Sequence, residues 1–296
     1  MAFHGIIPPV ATPFTESGDL DLPRLRWFLD RLIDGGVHAI FVLGTNSEFY
    51  ALDEQEKQAV IATAVEHVAG RVPVLAGTGA ETTREAERLT RMAEREGVQG
   101  VSVITPYFIS PNQKELEDHY RRVAAATALP LLLYSNPVTC GGLRIEAETA
   151  ERLASVPNIV GIKDSSGDLT LVADLLRRVP PSFAVLQGRD TLIYSALDLG
   201  AVGAIPATGN IAPKLLVEIY TKFMAGDRAG SRDAQARLHP LRLALNLCTP
   251  PGGVKAALAI LGESIGPCRS PIAPLDPGKR PAMEKALREA GLTPAV

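Results

Sequence analysis

The stretch Ile159-Val-Gly-Ile-Lys-Asp-Ser-Ser166 is an apolar run that turns polar within one residue. Hydrophobicity that continues without alternation suits a strand buried on both faces of a parallel sheet. The same pattern recurs at 5–10, 38–43, 73–76, 100–104, 129–134, 183–186 and 201–205, each run closed by a turn signal. The eight runs lie 18 to 35 residues apart. Helical patterns with recognisable ends fill the gaps. Asp53-Glu-Gln-Glu56 reads as a capping box, in which Asp53 accepts from a first-turn amide and Glu56 reaches back. The pattern from Thr82 to Glu96 closes on Gly97, and the one from Thr191 to Leu199, preceded by Asp190, closes on Gly200.

Eight alternating strand-helix units before residue 226 predict an α/β protein, a closed TIM (β/α)8 barrel with additional C-terminal helices, rather than an open doubly wound sheet. No G-x-G-x-x-G follows the first run, which counts against a dinucleotide-binding domain. Pro8, Pro9 and Pro130 interrupt two of the runs and predict strand starts or bulges there. The barrel is assigned to residues 1–225, Pro213 to Gly226 being its last helix, and a helical extension packed on it to residues 226–296. Helical patterns in the extension cover Arg228 to Leu247, Gly253 to Gly262 and Lys279 to Ala290.

The chain has 296 residues, 30 Lys and Arg against 33 Asp and Glu, and 46% apolar residues. The near-neutral balance without a basic stripe argues against nucleic acid as a partner, and no apolar run is long enough to span a membrane. Cys140, Cys248 and Cys268 form no metal-binding spacing, and the histidines form no zinc motif. A cytoplasmic protein without a disulfide framework or a metal is the expectation.

In such a barrel, side chains at the C-terminal strand ends meet at one face. Lys163 directly follows an apolar strand and points into the barrel mouth, where poor solvation favours a neutral, nucleophilic amine for a carbonyl substrate. The plainer alternative is a lysine reaching solvent or pairing with Asp164. Tyr134 ends the preceding strand and is a spatial neighbour, able to shuttle protons or simply to fill the top layer. Gly44-Thr45-Asn46 offers backbone N–H groups and short polar side chains to a carboxylate, or is merely a polar turn.

These residues, together with the Pro8-Pro-Val-Ala-Thr-Pro-Phe14 start, Gly44-Thr-Asn-Ser-Glu48, Tyr134-Ser-Asn-Pro137 and Ile159-Val-Gly-Ile-Lys-Asp164, resemble the dihydrodipicolinate synthase / N-acetylneuraminate lyase family of class I aldolases over nearly the whole length. The resemblance implies a homotetramer built as a dimer of dimers. It implies a Schiff base between Lys163 and pyruvate or another 2-oxo acid, with no separate cofactor. It makes Tyr134 the proton-transferring phenol, held by Thr45. Thr45 and Asn46 would bind the substrate carboxylate, and Thr12, Gly188, Ile205 and Thr139 would line the substrate site.

Three departures stand out. Phe108 occupies the place where the synthases carry a second relay tyrosine that reaches across the dimer interface; Tyr107 beside it should point elsewhere. Thr139 stands where they carry an arginine for a second carboxylate, which a threonine does not replace. Ser47 replaces a glycine. The expected activity is therefore an aldolase or dehydratase acting on a 2-oxo acid, with Gly44-Thr-Asn-Ser-Glu-Phe49 and Gly266-Pro-Cys-Arg269 closer to the branch that includes 4-hydroxy-2-oxoglutarate aldolase. The alternatives are 4-hydroxy-tetrahydrodipicolinate synthase, a catalytically retired 2-oxo-acid-binding protein, and, on the faint phosphate-loop resemblance of Ala207-Thr-Gly-Asn210, a TIM-barrel isomerase.

Overall fold

The computed structural model describes residues 3–295. Its eight strands are β1 (Gly5–Ile6), β2 (Ile40–Val42), β3 (Val74–Gly77), β4 (Gly100–Ile104), β5 (Leu131–Ser135), β6 (Ile159–Asp164), β7 (Ala184–Gln187) and β8 (Gly203–Ala204). All are parallel; β2 to β8 neighbour one another in chain order and β8 pairs with β1. The seam between β1 and β2 is closed just beyond β1 by a bridge between Pro9 and Phe41, with Val10 N donating to Phe41 O at 2.8 Å. The predicted barrel is therefore the observed one.

The prolines shorten two of the strands. Pro8 and Pro9 lack N–H groups, so the first run yields only two ladder residues, yet the Pro8 carbonyl still accepts from Phe41 N at 3.3 Å. Leu129 and Pro130 fall outside β5, whose register with β6 slips between Leu131 and Leu132.

The helices are α1 (Leu22–Asp34), α2 (Glu54–Val68), α3 (Thr83–Arg95), α4 (Gln113–Ala125), α5 (Ala147–Leu153), α6 (Leu169–Arg178), α7 (Ile193–Leu199), α8 (Pro213–Met224), α9 (Arg228–Ala244), α10 (Gly252–Ile260) and α11 (Arg280–Glu289). Asp53 and Glu56 form the expected capping box at the start of α2. Helix α7 begins later than its pattern predicts, because Asp190–Leu192 winds as a tight 3-10 turn, and it ends on Gly200 at φ 117°. Helix α9 likewise stops at Ala244, with Leu245–Leu247 in a 3-10 turn.

Two apolar layers result. Between strands and helices lies the larger core, and inside the barrel a smaller cluster includes Ile7, Phe41, Leu75, Leu132, Leu186 and Ile205. Burying each such side chain contributes about 1.5–3 kcal/mol, and the inner cluster gives the barrel mouth a dry floor. The C-terminal helices lie against the barrel: α9 packs on α8, and its Gln235 donates to the Asp190 carbonyl at 2.9 Å while accepting from Tyr194 N at 3.0 Å. Among the described residues no helix is long and apolar enough to cross a membrane.

Candidate active site

Parallel pairing of β5 with β6 sets Tyr134 directly opposite Lys163 at the C-terminal ends of both strands. Lys163 is only 4% exposed. Its Nζ lies 4.0 Å from the centroid of the Tyr134 ring and 5.6 Å from that of Phe41. Successive residues of a strand face opposite sides, and Asp164 is fully engaged elsewhere, accepting from Ser166 Oγ at 2.6 Å and from Ser166 N at 3.3 Å. Among the described residues no carboxylate lies within 4.0 Å of the Lys163 amine, so neither the ion pair with Asp164 nor a lysine reaching solvent describes this side chain.

The Tyr134 hydroxyl lies 3.4 Å from Thr45 Oγ1 and accepts from Asn136 Nδ2 at 3.1 Å. Burial pushes the phenol up. The Lys163 charge and the hydrogen bonds with Thr45, Lys163 and Asn136 together outweigh burial, and its pKa ends below the usual tyrosine value. A phenol poised in this way beside an amine can both give and take a proton.

The turn after β2 carries the next two groups. Leu43 at φ 57° and Glu48 at φ 55° bracket it, two non-glycine residues in the left-handed region. Such strain persists only where surroundings over-determine it. Ser47 supplies part of that: its hydroxyl accepts from Gly44 N at 3.1 Å and donates to the Val10 carbonyl. The serine in place of a glycine therefore ties the turn to the chain beyond β1. Among the described residues the backbone N–H groups of Thr45 and Asn46 have no backbone acceptor, and both residues line the cavity. Glu48, at the end of the turn, is wholly buried and paired with Lys255 of α10 at 2.8 Å.

The cavity, about 140 Å³, is also lined by Gly188, Ile205 and Thr139. At Gly188 a Cβ would stand 2.0 Å from Ser165 Oγ and 2.8 Å from the Asp164 carbonyl, so only glycine allows β6 and β7 to approach there. Thr12 is a correction. It is buried and does not line the cavity; its hydroxyl donates to the Ser47 carbonyl at 2.7 Å and braces the turn from outside. Tyr107 packs edge-on against Phe49, with ring centroids 5.9 Å apart, and lies against the cluster of Ile104, Tyr134 and Cys140. Phe108 is 98% exposed and sits at φ 73°.

Sequence reasoning passed over Asn136, although it stands in the quoted Tyr134-Ser-Asn-Pro137 motif. It also passed over Arg189, Arg242 and Asn246, which line the cavity from the loop after β7 and from the end of α9 and the turn beyond it. Arg189 stands at a predicted strand end and was legible; the other two depend on how α9 lies on the barrel. Cys140, Cys248 and Cys268 are free thiols. Among the described residues no group of three His, Cys, Asp or Glu side chains is placed to hold a metal ion.

Comparison with known proteins gives a consistent result. The profile of the dihydrodipicolinate synthetase family matches residues 2–290. The chain is 40% identical to a 4-hydroxy-tetrahydrodipicolinate synthase of Nitrosospira multiformis, over all of this chain and 98% of that protein. It is 37% identical to an uncharacterized DapA-like lyase of Halobacterium salinarum, over 99% of this chain and 95% of the relative. Among solved structures, the dihydrodipicolinate synthase of Aquifex aeolicus superposes with a TM-score of 0.95 at 32% identity, covering 99% of this chain and all of that one. YagE, a prophage protein of E. coli K12 in complex with pyruvate, superposes at 0.94 with 34% identity, covering 98% and 99%.

Proposed function

The chain belongs to the dihydrodipicolinate synthetase family, and from that premise we propose that it is a lyase, an aldolase or dehydratase, that works on 2-oxo acids through an imine on Lys163. The observation that carries this is the buried Lys163 amine, opposite the Tyr134 phenol and, among the described residues, without a carboxylate partner. An amine kept as a structural cation would be paired; one kept as a nucleophile is left open to a carbonyl carbon.

The amine adds to the keto carbon, forming a C–N bond, while the carbonyl oxygen takes a proton from Tyr134. The added nitrogen gives its surplus proton back through Tyr134 to the new hydroxyl, and loss of that oxygen as water leaves an iminium beside the Tyr134 phenolate. In cleavage, the Tyr134 phenolate takes the proton of the aldol hydroxyl and the carbon–carbon bond breaks into the iminium to give an enamine. An aldehyde leaves, and Tyr134 returns the proton to the enamine carbon. In dehydration, a proton next to the iminium carbon leaves to give the enamine, which expels the β-hydroxyl as water with that proton. Water then hydrolyses the resulting iminium to the free amine and a 2-oxo acid. Thr45 and Asn136 hold the Tyr134 hydroxyl, and the N–H groups of Thr45 and Asn46 bind the substrate carboxylate. No metal or organic cofactor enters, because the iminium is itself the electron sink.

Phe108 bears on the alternatives. It has no hydroxyl to complete a two-tyrosine relay, and Thr139 supplies no guanidinium, so the reading as a 2-oxo-acid aldolase or dehydratase ranks ahead of synthase activity like that named for its relatives. The exposed Phe108, flanked by the exposed Ile109, fits against a second copy of the chain, in a dimer that pairs again into a tetramer. A residue this apolar and this exposed, held in a left-handed conformation, serves a contact rather than the monomer.

The test is the intact mass after incubation with pyruvate and borohydride. The parent gains a reduced pyruvyl group, Lys163→Ala gains none, and Tyr134→Phe keeps some adduct while losing about 10²–10⁴-fold in turnover. Equal labelling of the parent and Lys163→Ala would refute the mechanism. Labelling of the parent without turnover of any aldol or sugar-acid substrate would favour the retired binding protein.

A further inference from the structure

The cavity carries more positive charge in its lining than the imine chemistry uses. Its lining includes three cations, Lys163, Arg189 and Arg242, against one acid, Asp190. That acid is already engaged: Asp190 is buried, and its Oδ2 accepts from Thr208 N at 2.7 Å and from Thr208 Oγ1 at 2.6 Å. Arg242 is held on one side only. Its Nε lies 3.7 Å from Asp190 Oδ1 and one terminal nitrogen donates to Asn246 Oδ1 at 3.1 Å. Among the described residues the other terminal nitrogen has no acceptor, and the guanidinium of Arg189 has neither a hydrogen-bond nor a carboxylate partner. A guanidinium carries five N–H donors in a fixed plane, and one whose back is anchored presents the remainder pre-oriented.

The position where the family resemblance calls for an arginine holds Thr139, whose hydroxyl is turned toward the Asn136 carbonyl at 3.4 Å. The cation missing there is present on a different element. We propose that Arg242, steadied by Asp190 and Asn246 and helped by Arg189, binds a second carboxylate at the far end of the substrate, so that this chain acts on 2-oxo dicarboxylic acids in preference to 2-oxo monoacids. The inference rests on the reading of Lys163 as the imine-forming residue. A monoacid leaves Arg242 and Arg189 facing solvent in the cavity, whereas a dicarboxylate bonds the open guanidinium face through charge-assisted hydrogen bonds. Asn246 keeps its own place in this arrangement, as the acceptor that fixes the rotation of the guanidinium.

The experiment compares half-saturation of borohydride trapping by 2-oxoglutarate and by pyruvate in the parent, Arg242→Gln and Arg242→Lys. The parent is expected to favour 2-oxoglutarate, and Arg242→Gln to lose at least tenfold of that preference, a change of about 1.4 kcal/mol. Arg242→Lys, which keeps the charge without the planar fork, is expected to lose less. Thermal melts identify any variant that fails to fold, and Arg189→Gln then reads the same preference from the neighbouring cation. A parent without preference, or a preference unchanged within twofold in Arg242→Gln, overturns the proposal. Failure of the imine reading looks different: neither acid labels the parent. In that case calorimetric titration with 2-oxoglutarate decides, with loss of binding in Arg242→Gln supporting the anion site and equal binding overturning it.

Discussion

Removing the buried charge of Glu48 should cost this protein both stability and the geometry of the turn after β2. Glu48 is 0% exposed, and its partner Lys255, on α10, is 4% exposed at 2.8 Å. Both carboxylate oxygens face donors: Oε1 faces the Lys255 ammonium, and Oε2 accepts from Arg269 N at 2.9 Å. In Glu48→Gln one of those oxygens becomes an NH2 group set against a donor. Among the described residues Lys255 keeps the Pro267 carbonyl at 2.7 Å and the face of Phe14, 4.2 Å from its ring centroid. Breaking a buried pair by removing one partner costs about 3–5 kcal/mol. At about 2.1 cal/mol/K per residue the unfolding entropy of this chain is about 0.6 kcal/mol/K, so the melting temperature should fall by about 5–8 °C.

The pH dependence has a definite sign. Burial pulls the Lys255 pKa down and Glu48 pushes it back up, the net direction being down. Without Glu48 the restoring charge is gone, and the amine gives up its proton at a lower pH than in the parent. Glu48→Gln is therefore most penalised where Lys255 is still charged, and the penalty shrinks as rising pH neutralises it. The assay is calorimetric unfolding of the parent, Glu48→Gln, Lys255→Met and the double variant, from pH 6 upward. The double variant should lose less than the two single losses together, because each single change strands the other's charge. A coupling below about 0.5 kcal/mol, the additivity expected of independent sites, would refute the reasoning.

Gly188→Ala should push Ser165 and the Asp164 carbonyl away from a Cβ that would otherwise stand 2.0 Å and 2.8 Å from them; a loss of about 1–3 kcal/mol and weaker pyruvate trapping are expected, and a trapping-competent variant of parental stability would contradict this. His119 is buried against Thr83 Oγ1 at 2.9 Å, and burial, reinforced by Arg122 and opposed by Glu87, holds its pKa down to about 4. Between pH 6.5 and about 4 the unfolded chain therefore binds a proton that the folded one refuses, and stability falls with pH by up to about 3 kcal/mol. His119→Gln should flatten this part of the stability curve; parallel curves for the two proteins would count against it.

The barrel was legible because buried parallel strands leave an unmistakable trace, and its topology then did the rest. Once β5 and β6 are consecutive strands of a barrel, Tyr134 and Lys163 must be neighbours, so two residues 29 positions apart are paired by the sequence pattern alone. Thr12 shows where this logic stops. It follows a strand that Pro8 and Pro9 cut short, and the extended segment beyond β1 aims its hydroxyl at Ser47 instead of the cavity. The 3-10 turn at Asp190–Leu192 was equally hidden, because Asp190 reads as a helix cap yet turns its carboxylate to Thr208 in the loop after the neighbouring strand β8.

The end of α9 was beyond reach for a stronger reason. Nothing local in its sequence says that Arg242 faces the cavity; that follows from Gln235, which joins α9 to the loop after β7 through the Asp190 carbonyl and Tyr194 N. Asp190 thus serves both sides at once, its carboxylate fixing Thr208 and approaching Arg242, its carbonyl holding the helix that carries Arg242. The Lys163 amine and the Tyr134 phenol stand on strands whose register is set by the barrel, while the cation that would recognise the far end of the substrate stands on an appended helix. If Arg242 binds the second carboxylate, substitutions along α9 should redirect which acid is bound without disturbing the β5–β6 register that brings amine and phenol together. By the same geometry, a substitution that loosens Gln235 should change substrate preference before it changes imine formation, although Gln235 itself does not line the cavity.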